Sequence, residues 1–220
     1  MATIPLVRQQ ETTRDSTWQF VEACERLAAA VLLVMLSPAI LLCALAVAML
    51  SRRTPLIAHR RVGWRGTDLW VIKLRTMWGH DQPGERPASR WIERIDGPSG
   101  PELKRAGDPR VPNGFARFLR RHSVDELPQF WHVLRGEMSL VGPRPITSTE
   151  LRDFYGGDAN EILRVKPGIA GLWQVSGRNR LSYAQRRELD LALVRQRSVR
   201  LYFKVMFLTV GEVWSGTNSW

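Results

Sequence analysis

The chain has 220 residues and a formal net charge of +11, enough for one compact domain plus an anchor but not for two large cores. Such a charge favours anionic partners, namely nucleic acid, anionic lipid head groups or phosphorylated substrates. The two cysteines, Cys24 and Cys43, exclude a disulfide framework and a Cys/His zinc site, and are typical of a protein in a reducing compartment.

The N-terminal quarter of the sequence divides into a polar part and an apolar part. We predict a flexible tail over residues 1–21, because the first 17 residues are polar and lack an apolar period. The stretch from Leu27 to Leu50 is almost wholly apolar and long enough to cross a bilayer. A cleaved signal peptide does not fit, because the preceding region is not positively charged and the apolar stretch is too long.

Ser37 and Pro38 interrupt this apolar stretch near its centre and leave two topologies open. Proline removes a helical hydrogen bond and kinks the helix, and a neighbouring serine can satisfy the freed backbone groups. Arg26 and Arg52 flank the stretch on both sides, which gives only a mild charge preference for a single crossing. Hydropathy alone favours a spanning helix, whereas a helix that enters and leaves on one face also accounts for the break.

The residues from Leu56 to Met77 predict a β-hairpin whose turn lies at residues 63–66. Alternation places Lys73 and Arg75 on one side of the second strand. Two interpretations stay open for this pair: contact with a phosphate, or the charges of a protected edge strand. Residues 78–107 are rich in Gly, Pro and charge, and predict a loop with a short helical piece around residues 88–95.

The remainder of the chain predicts helices, so that the fold class is mostly α with a small β-hairpin (α+β). Residues 113–134 are expected to be largely helical, with Arg120 turned toward a site. Shorter helices are expected at about 150–164 and 187–194. The apolar and aromatic segment 199–214 is too short to span a bilayer comfortably, so it belongs to the core or to a membrane interface.

Two adjacent carboxylates, Asp125 and Glu126, lie between arginine-rich segments in the run Ser123-Val124-Asp125-Glu126. Neighbouring residues on a helix do not share a face, which predicts different roles for the two. An ionised carboxylate can bind Mg²⁺ or attack phosphorus as a nucleophile. The alternative is a helix cap, in which Ser123 and Glu126 form a capping box. Both interpretations remain compatible with the sequence.

Downstream motifs suit phosphate binding. In the segment 142–145, Gly-Pro-Arg-Pro, Pro143 and its neighbours hold Arg144 in a rigid extended backbone. A guanidinium fork matches phosphate oxygens in a bidentate way. Further on, Trp173-Gln174-Val175-Ser176-Gly177-Arg178-Asn179 combines a glycine that allows close backbone approach with Gln174 and Arg178, which could meet a phosphate or a nucleotide.

The run SVDELPQFWHVLRGEMSLVGPRP resembles the signature of the bacterial sugar transferases that act as monotopic phosphoglycosyl transferases. Matches to that family extend in order from about residue 22 to about residue 210, including Lys73-Leu74-Arg75-Thr76-Met77 and the Trp-x-Gln-Val-x-Gly-Arg-Asn pattern. The chain departs from the family pattern at Lys166, where arginine is usual, and at Tyr202, where aspartate is usual.

The resemblance implies a small membrane enzyme with three regions: a tail at 1–21, a re-entrant membrane helix at 22–53 broken at Ser37-Pro38, and a cytosolic catalytic domain at 54–220. It implies transfer of a sugar 1-phosphate from a UDP-sugar to undecaprenyl or another polyprenyl phosphate, with release of UMP. This would be the first membrane step of exopolysaccharide, capsule or other surface glycan synthesis. The enzyme would lie on the cytoplasmic face of the bacterial inner membrane.

The resemblance also assigns roles to residues. Asp125 is implied as the nucleophile of a two-step reaction through an aspartyl-phosphosugar, and Glu126 as its partner, with both near the Mg²⁺ cofactor. The implied substrate-binding residues are Lys73, Arg75, Arg120, Pro143, Arg144, Gln174 and Arg178. No nucleic acid partner is expected, and a homodimer stays open. The rival hypothesis is a membrane-tethered basic protein that binds nucleic acid or anionic lipid, but it gives no reason for the Asp-Glu pair followed by Gly-Pro-Arg-Pro.

Overall fold

The structure is a computed structural model that describes residues 16–78, 92–95, 110–177 and 180–215. It is mostly helical, with one long N-terminal helix and two small sheets. This confirms the mostly α class with a small β-hairpin. The second sheet was not foreseen in the sequence.

Helix α1 runs from Ser16 to Ser51 with Pro38 inside it, and therefore already includes residues 16–21, which the sequence analysis assigned to the tail. The hydroxyl of Ser37 donates to the carbonyl of Val34 at 2.8 Å, so the side chain uses a backbone group next to the proline. Within the described ranges, α1 is the one helix long and apolar enough to cross a membrane.

The N-terminal part of α1 is attached to the rest of the domain by a buried carboxylate. Glu25 is 5% exposed, and its Oε1 accepts hydrogen bonds from Ser139 Oγ at 2.5 Å, Leu140 N at 2.8 Å and Tyr202 Oη at 2.6 Å. One turn later, Ala29 is fully buried in a core cluster. A buried carboxylate needs several donors to offset its desolvation, and Glu25 receives them from two other segments of the chain, the one with Ser139 and Leu140 and the helix that contains Tyr202.

The predicted hairpin is confirmed as β1 (Leu56–Val62) and β2 (Asp68–Leu74), paired antiparallel. Its turn contains a short 3₁₀ helix at Trp64–Gly66, where Arg65 and Gly66 both adopt positive φ. A third strand, β3 (Ile92–Ile95), pairs parallel with β1. The helical piece expected around residues 88–95 is therefore wrong for its described part, and residues 88–91 lie outside the described ranges.

The helix predicted over residues 113–134 is divided into three pieces: α2 (Gly114–Arg121), a 3₁₀ helix at Val124–Gln129, and α3 (Phe130–Leu134). The division occurs at Ser123, which has a left-handed backbone with φ 53° and makes no side-chain cap hydrogen bond. The capping-box interpretation of Ser123 is therefore wrong, because a left-handed residue does not present the extended backbone of an N-cap.

The second sheet joins β4 (Ser139–Val141) and β5 (Gly168–Ala170) in parallel. Between them the chain forms α4 (Ser148–Glu150), a π-helical turn, a 3₁₀ turn and α5 (Ala159–Ile162). The single helix expected at 150–164 is thus broken. Gly142 allows close approach of the two strands, because a Cβ there would lie 2.5 Å from the carbonyl oxygen of Lys166.

Three helices complete the fold: α6 (Leu172–Val175), α7 (Tyr183–Arg195) and α8 (Val199–Ser215). Helix α7 begins at a capping box formed by Ser182 and Gln185. Tyr202 and Val205 of α8 pack on the second sheet, while its other face exposes Phe203, Phe207, Val210 and Trp214. The positions at i, i+4, i+7 and i+11 form one continuous apolar stripe.

Candidate active site

An open cleft of about 290 Å³ gathers residues from both sheets and from the 3₁₀ helix. Its lining includes four of the predicted site residues: Lys73, Glu126, Arg144 and Gln174. These residues are separated by up to 101 positions in the sequence, so the fold brings together motifs that sequence analysis could only treat one at a time.

The two carboxylates at the centre of the sequence motif have different surroundings, as predicted. Asp125 is buried, at 6% exposure. Glu126 forms an ion pair with Lys73 of β2, with Nζ and Oε1 separated by 3.0 Å. The 3₁₀ helix packs against β2 and places Glu126 beside Lys73. The left-handed turn at Ser123 makes the sharp change of direction after α2.

Two predicted phosphate ligands, Arg120 and Arg75, are largely withdrawn from solvent. Arg120 is 8% exposed, and its Nη1 donates to Thr76 Oγ1 at 3.5 Å. Arg75 is 4% exposed, its Nε donates to Thr54 O at 2.8 Å, and it forms an ion pair with Glu93 of β3. Arg75 thus connects the end of β2 to β3 in the structure. Its contact with substrate stays a prediction.

The strand β4 leads directly into the Gly-Pro-Arg-Pro segment, where Pro143 is buried and Arg144 reaches the cleft. The guanidinium carbon of Arg144 lies 5.6 Å from the ring centre of Trp173, and that of Arg186 lies 4.7 Å from the same ring. Gln174 donates from Nε2 to Ile169 O at 3.2 Å. The arginine is therefore held by rigid backbone on one side and by an indole platform on the other.

Positive potential accumulates on this side of the cleft. Burial and the nearby Arg144 lower the pKa of Arg61 to about 10. Burial, together with Arg61, Lys73 and Arg75, lowers the pKa of His59 to about 4, so its imidazole is neutral at pH 7. Arg61, Lys73 and Arg144 all line the cleft, and a cleft lined by several cations favours the binding of an anion.

A buried carboxylate lies behind Arg144. Asp190 of α7 is 1% exposed, and its Oδ2 accepts a hydrogen bond from Tyr155 Oη at 2.9 Å. Burial raises the pKa of Asp190 to about 7, while the hydrogen bond from Tyr155 and the charges of Arg144 and Arg186 oppose that increase. Asp190 therefore changes its charge near neutral pH beside the arginines of the cleft.

The sequence analysis missed three residues of this site, Arg61, Gln129 and Arg186, whereas Arg178 lies outside the described residues. Arg61 and Gln129 line the cleft, and Arg186 reaches it from α7 through Trp173. The alternation of β1 could have indicated Arg61 and Lys73 on one face of the hairpin. No local signal distinguished Arg186 from Arg187, because their difference lies in which face of α7 meets α6.

Within the part of the chain that the structure describes, no group of three or more His, Cys, Asp or Glu side chains converges as a metal site. The two carboxylates Asp125 and Glu126 fit Mg²⁺ in another way. Magnesium commonly takes one or two protein carboxylates, substrate phosphate oxygens and water. Glu126 lines the cationic cleft, and Asp125 precedes it on the same 3₁₀ helix. The donor set therefore suits a metal that arrives with a phosphorylated substrate.

Comparison with known proteins identifies the family. The family model described as bacterial sugar transferase matches residues 17–216, which is nearly the whole chain. The chain belongs to the bacterial sugar transferase family. The matched residues include nearly all of α1, the residues that line the cleft, and α8.

Curated relatives agree with this family. The chain is 38% identical over 192 residues to the exopolysaccharide production protein ExoY of Rhizobium meliloti, covering 85% of this chain and 82% of ExoY. It is 39% identical over 159 residues to a UDP-galactose-lipid carrier transferase of Erwinia amylovora, covering 72% of this chain and 33% of that protein. A UDP-glucose:undecaprenyl-phosphate glucose-1-phosphate transferase of Caulobacter vibrioides is 40% identical over 153 residues, covering 68% and 51%.

The sugar transferase therefore spans most of ExoY but only about a third of the Erwinia protein.

Proposed function

We propose that this sugar transferase moves a sugar 1-phosphate from a UDP-sugar to undecaprenyl phosphate or a similar polyprenyl phosphate, as the first membrane step of exopolysaccharide or other surface glycan synthesis. The observation that carries the proposal is the cleft, which Glu126, Lys73 and Arg144 line together, with the buried Asp125 next to Glu126 in the chain. The relatives named as sugar-phosphate transferases to undecaprenyl phosphate support the substrate class.

The reaction proceeds in two steps. A carboxylate oxygen of Asp125 attacks the β-phosphorus of the UDP-sugar, an oxygen–phosphorus bond forms, and the bond to the α-phosphate breaks, so that UMP leaves. A phosphate oxygen of the polyprenyl phosphate then attacks the same phosphorus, which restores the carboxylate and yields polyprenyl-diphosphate-sugar. Burial of Asp125 keeps water from the acyl phosphate between the two steps.

The other residues supply charge and orientation. Glu126 is held by Lys73 at 3.0 Å and so orients the peptide that carries Asp125. Arg120 and Arg144 bind phosphate oxygens, and Arg178 joins them as proposed from the sequence. Mg²⁺, held by Asp125 or Glu126 together with phosphate oxygens, supplies charge neutralisation when bound.

The enzyme sits on the cytoplasmic face of the inner membrane, anchored by an α1 that turns back at Ser37-Pro38. Support for the turn comes from burial on both sides of the break: Ala29 and Val47 are each fully buried. The more shielded positions continue along one face, at Leu32, Leu36, Ile40 and Cys43, while the opposite face is exposed. A straight helix that projected alone from the domain would leave Val47 exposed, because its neighbours on the same helix cannot cover it fully.

The assay of this function uses detergent-solubilised protein with Mg²⁺, undecaprenyl phosphate and a panel of UDP-sugars. UMP release that requires one UDP-sugar and yields a lipid-linked sugar phosphate is the expected result. No UMP release with any sugar, together with tight binding of nucleic acid or anionic vesicles, would favour the rival role as a basic binding protein.

The topology is tested separately by labelling cysteines placed near the N-terminus and near Trp220, in a variant without Cys24 and Cys43. Both ends are expected to be labelled from the cytoplasmic side only. Labelling from opposite sides would establish a spanning helix. The matched variant Pro38→Ala restores a helical hydrogen bond and is expected to shift part of the population toward spanning.

A further inference from the structure

Arg144 of the Gly-Pro-Arg-Pro segment has two further arginines near it: Arg61 of β1, which lines the same cleft, and Arg186 of α7, which lies against the same Trp173 ring. We propose that this arginine cluster is a binding site for a phosphate group carried by a substrate, with Arg61 and Arg186 as binding residues alongside Arg144. The proposal rests on the function given above, and it names two residues of the site that the family motifs did not indicate.

The geometry brings the three guanidinium groups to one place. Arg61 and Arg144 line the same cleft. Arg144 and Arg186 both lie against the ring of Trp173, with guanidinium carbons 5.6 and 4.7 Å from its centre. Arg186 also lies 5.1 Å from the ring centre of Tyr183. Aromatic faces orient guanidinium groups without neutralising their charge. The directions of the N–H donors are therefore set by the rings rather than by solvent.

Two carboxylates that act on the arginine cluster also serve other donors. Glu150 acts electrostatically on Arg61 and Arg186, but its Oε2 already accepts hydrogen bonds from Thr147 N at 2.8 Å and Thr147 Oγ1 at 3.0 Å. Asp190 accepts a hydrogen bond from Tyr155 and carries only part of a charge near neutral pH. A phosphate would add acceptor oxygens that these two carboxylates do not devote to the arginine cluster alone.

Mutual repulsion shows that the cluster is closely spaced. Arg144 lowers the pKa of both Arg61 and Arg186, and burial is the larger cause in each case. Holding partly buried like charges together costs stability in the empty site, and an anion with several oxygens offsets this cost by accepting from more than one guanidinium. A phosphate dianion fits this chemistry, whereas a carboxylate offers fewer acceptors.

Both substrates of the proposed reaction carry such a group, the nucleotide in its diphosphate and the lipid in its terminal phosphate. The experiment separates the two sources. Binding is measured on the full chain in detergent in an Asp125→Asn background, so that no turnover occurs. The probes are UDP and UMP for the nucleotide, and farnesyl phosphate for the lipid.

The chain offers matched controls for both residues. Arg60 is the neighbour of Arg61 on β1 and pairs with Asp68, with Nη2 and Oδ2 2.9 Å apart. Arg187 is the neighbour of Arg186 on α7 and pairs with Asp158. Each control changes the net charge of the chain by the same amount as its partner variant, without removing a member of the arginine cluster.

Arg61→Gln and Arg186→Gln are each expected to weaken binding of at least one probe by about tenfold or more, as for the loss of one charge-assisted hydrogen bond. Arg60→Gln and Arg187→Gln are expected to change it less than about threefold, because each arginine is paired with an aspartate and neither belongs to the arginine cluster. Loss for UDP and UMP alone assigns the site to the nucleotide, loss for farnesyl phosphate alone assigns it to the lipid, and loss for all assigns it to both.

Unchanged binding of every probe in Arg61→Gln and Arg186→Gln would overturn the proposal, as would equal weakening by the controls. If a glutamine variant unfolds, Arg61→Lys and Arg186→Lys keep the charge and are judged by the same comparison. Because binding is measured without turnover, a wild-type protein that binds UDP through the cluster but releases no UMP would disprove the proposed function and leave this inference standing.

Discussion

The cleft region buries charged side chains, whereas the outer surface of α1 and α8 exposes apolar ones. Both arrangements are the reverse of what is usual in a protein surrounded by water. In the cleft region the charged side chains of Arg120, Asp125 and Asp190 are at most 8% exposed. On α8, Phe207 is 81% and Trp214 is 88% exposed. Burying charged side chains and exposing apolar side chains both raise the free energy of a protein in water. A bound phosphate offsets the first effect, and contact with a bilayer offsets the second. A substrate with a phosphate head and a polyprenyl tail needs both regions.

Helix α2 contains this contrast within eight residues. Phe118 is 52% exposed, whereas Leu119 and Arg120 are buried. The ring of His122, which follows the helix, donates from Nδ1 to Val213 O of α8 at 2.9 Å, so α2 and α8 are adjacent. The polar and the apolar parts of the site are thus held in a fixed relation by one short helix.

The largest effect is expected for Asp125→Asn, which should abolish transfer, because an amide cannot form the acyl phosphate. The measurement is UMP release with the UDP-sugar that wild-type protein uses. Melting temperature and UDP binding serve as controls, since both should stay close to wild type. Turnover near the wild-type rate in a folded variant would remove Asp125 from the role of nucleophile.

The next effect concerns the phosphate-binding arginines. Arg120→Lys, Arg144→Lys and Arg178→Lys should each lower kcat/KM for the UDP-sugar by about ten- to a hundredfold, because the loss of one charge-assisted hydrogen bond costs roughly 1.5–3 kcal/mol. Arg60→Lys, at an exposed ion pair, is the control. If all three variants keep their activity and their melting temperature, the phosphates are held elsewhere, and Lys73 becomes the next residue to test.

A smaller effect should appear in the pH dependence of stability. The pKa of Asp190 is about 7 in the folded protein and lies near its ordinary value of 3.8 in the unfolded chain. Between these values the folded state holds a proton that the unfolded state has released, so stability should fall as pH rises from about 4 to about 7 and then level off.

The matched variant for this test is Asp190→Asn, which keeps the shape of the side chain and removes its titration. The fall in melting temperature between pH 5 and pH 8 should be smaller in this variant than in wild type, by a few degrees. The groups that face Asp190 are Tyr155, Arg144 and Arg186, and burial raises the pKa of the Tyr155 hydroxyl above its ordinary value. Parallel curves for the two proteins would contradict the assignment.

The smallest expected effect concerns contact between lipid and the apolar surface of α8. In vesicles with brominated acyl chains, the fluorescence of Trp214 should be quenched, because an exposed aromatic side chain lowers its free energy at a lipid interface. Trp214 is one of nine tryptophans, so Trp214→Phe should reduce the quenched intensity by on the order of a tenth. Trp64→Phe is the control, since Trp64 bonds through Nε1 to Arg164 O at 3.0 Å in the catalytic domain. Equal changes in both variants would place Trp214 away from lipid.

The local features of this fold were accessible from sequence, whereas the features that depend on packing were not. Alternation and turn residues located the hairpin of β1 and β2 correctly. The break at Ser123 was not foreseen, because a serine in a left-handed backbone is favoured only by the packing of the 3₁₀ helix on β2. The β4–β5 pair was missed because each strand has three residues and lies in a glycine-containing motif.

The same difference between local features and features that depend on packing holds for the candidate site. The motifs predicted Asp125, Glu126 and Arg144, and the structure brings Glu126, Lys73 and Arg144 to one cleft. Arg75 shared its motif with Lys73 but is engaged by Glu93, a partner from a strand that the sequence did not indicate. Arg186 could not be distinguished from Arg187, because the orientation of α7 is set by contacts with α6. The sequence shows which chemical types of side chain are present, and long-range packing determines which of them come into contact.

The bond network of Glu25 has a practical consequence for protein production. A shortened chain that starts at β1, designed to obtain the catalytic domain without detergent, would lack the acceptor shared by Ser139, Leu140 and Tyr202. It would also uncover the core around Ala29. Buried donors without an acceptor cost about 1–3 kcal/mol each, and β4 leads straight into the segment of Arg144. Soluble expression of this enzyme therefore calls for redesign of the outer face of α1 rather than its removal.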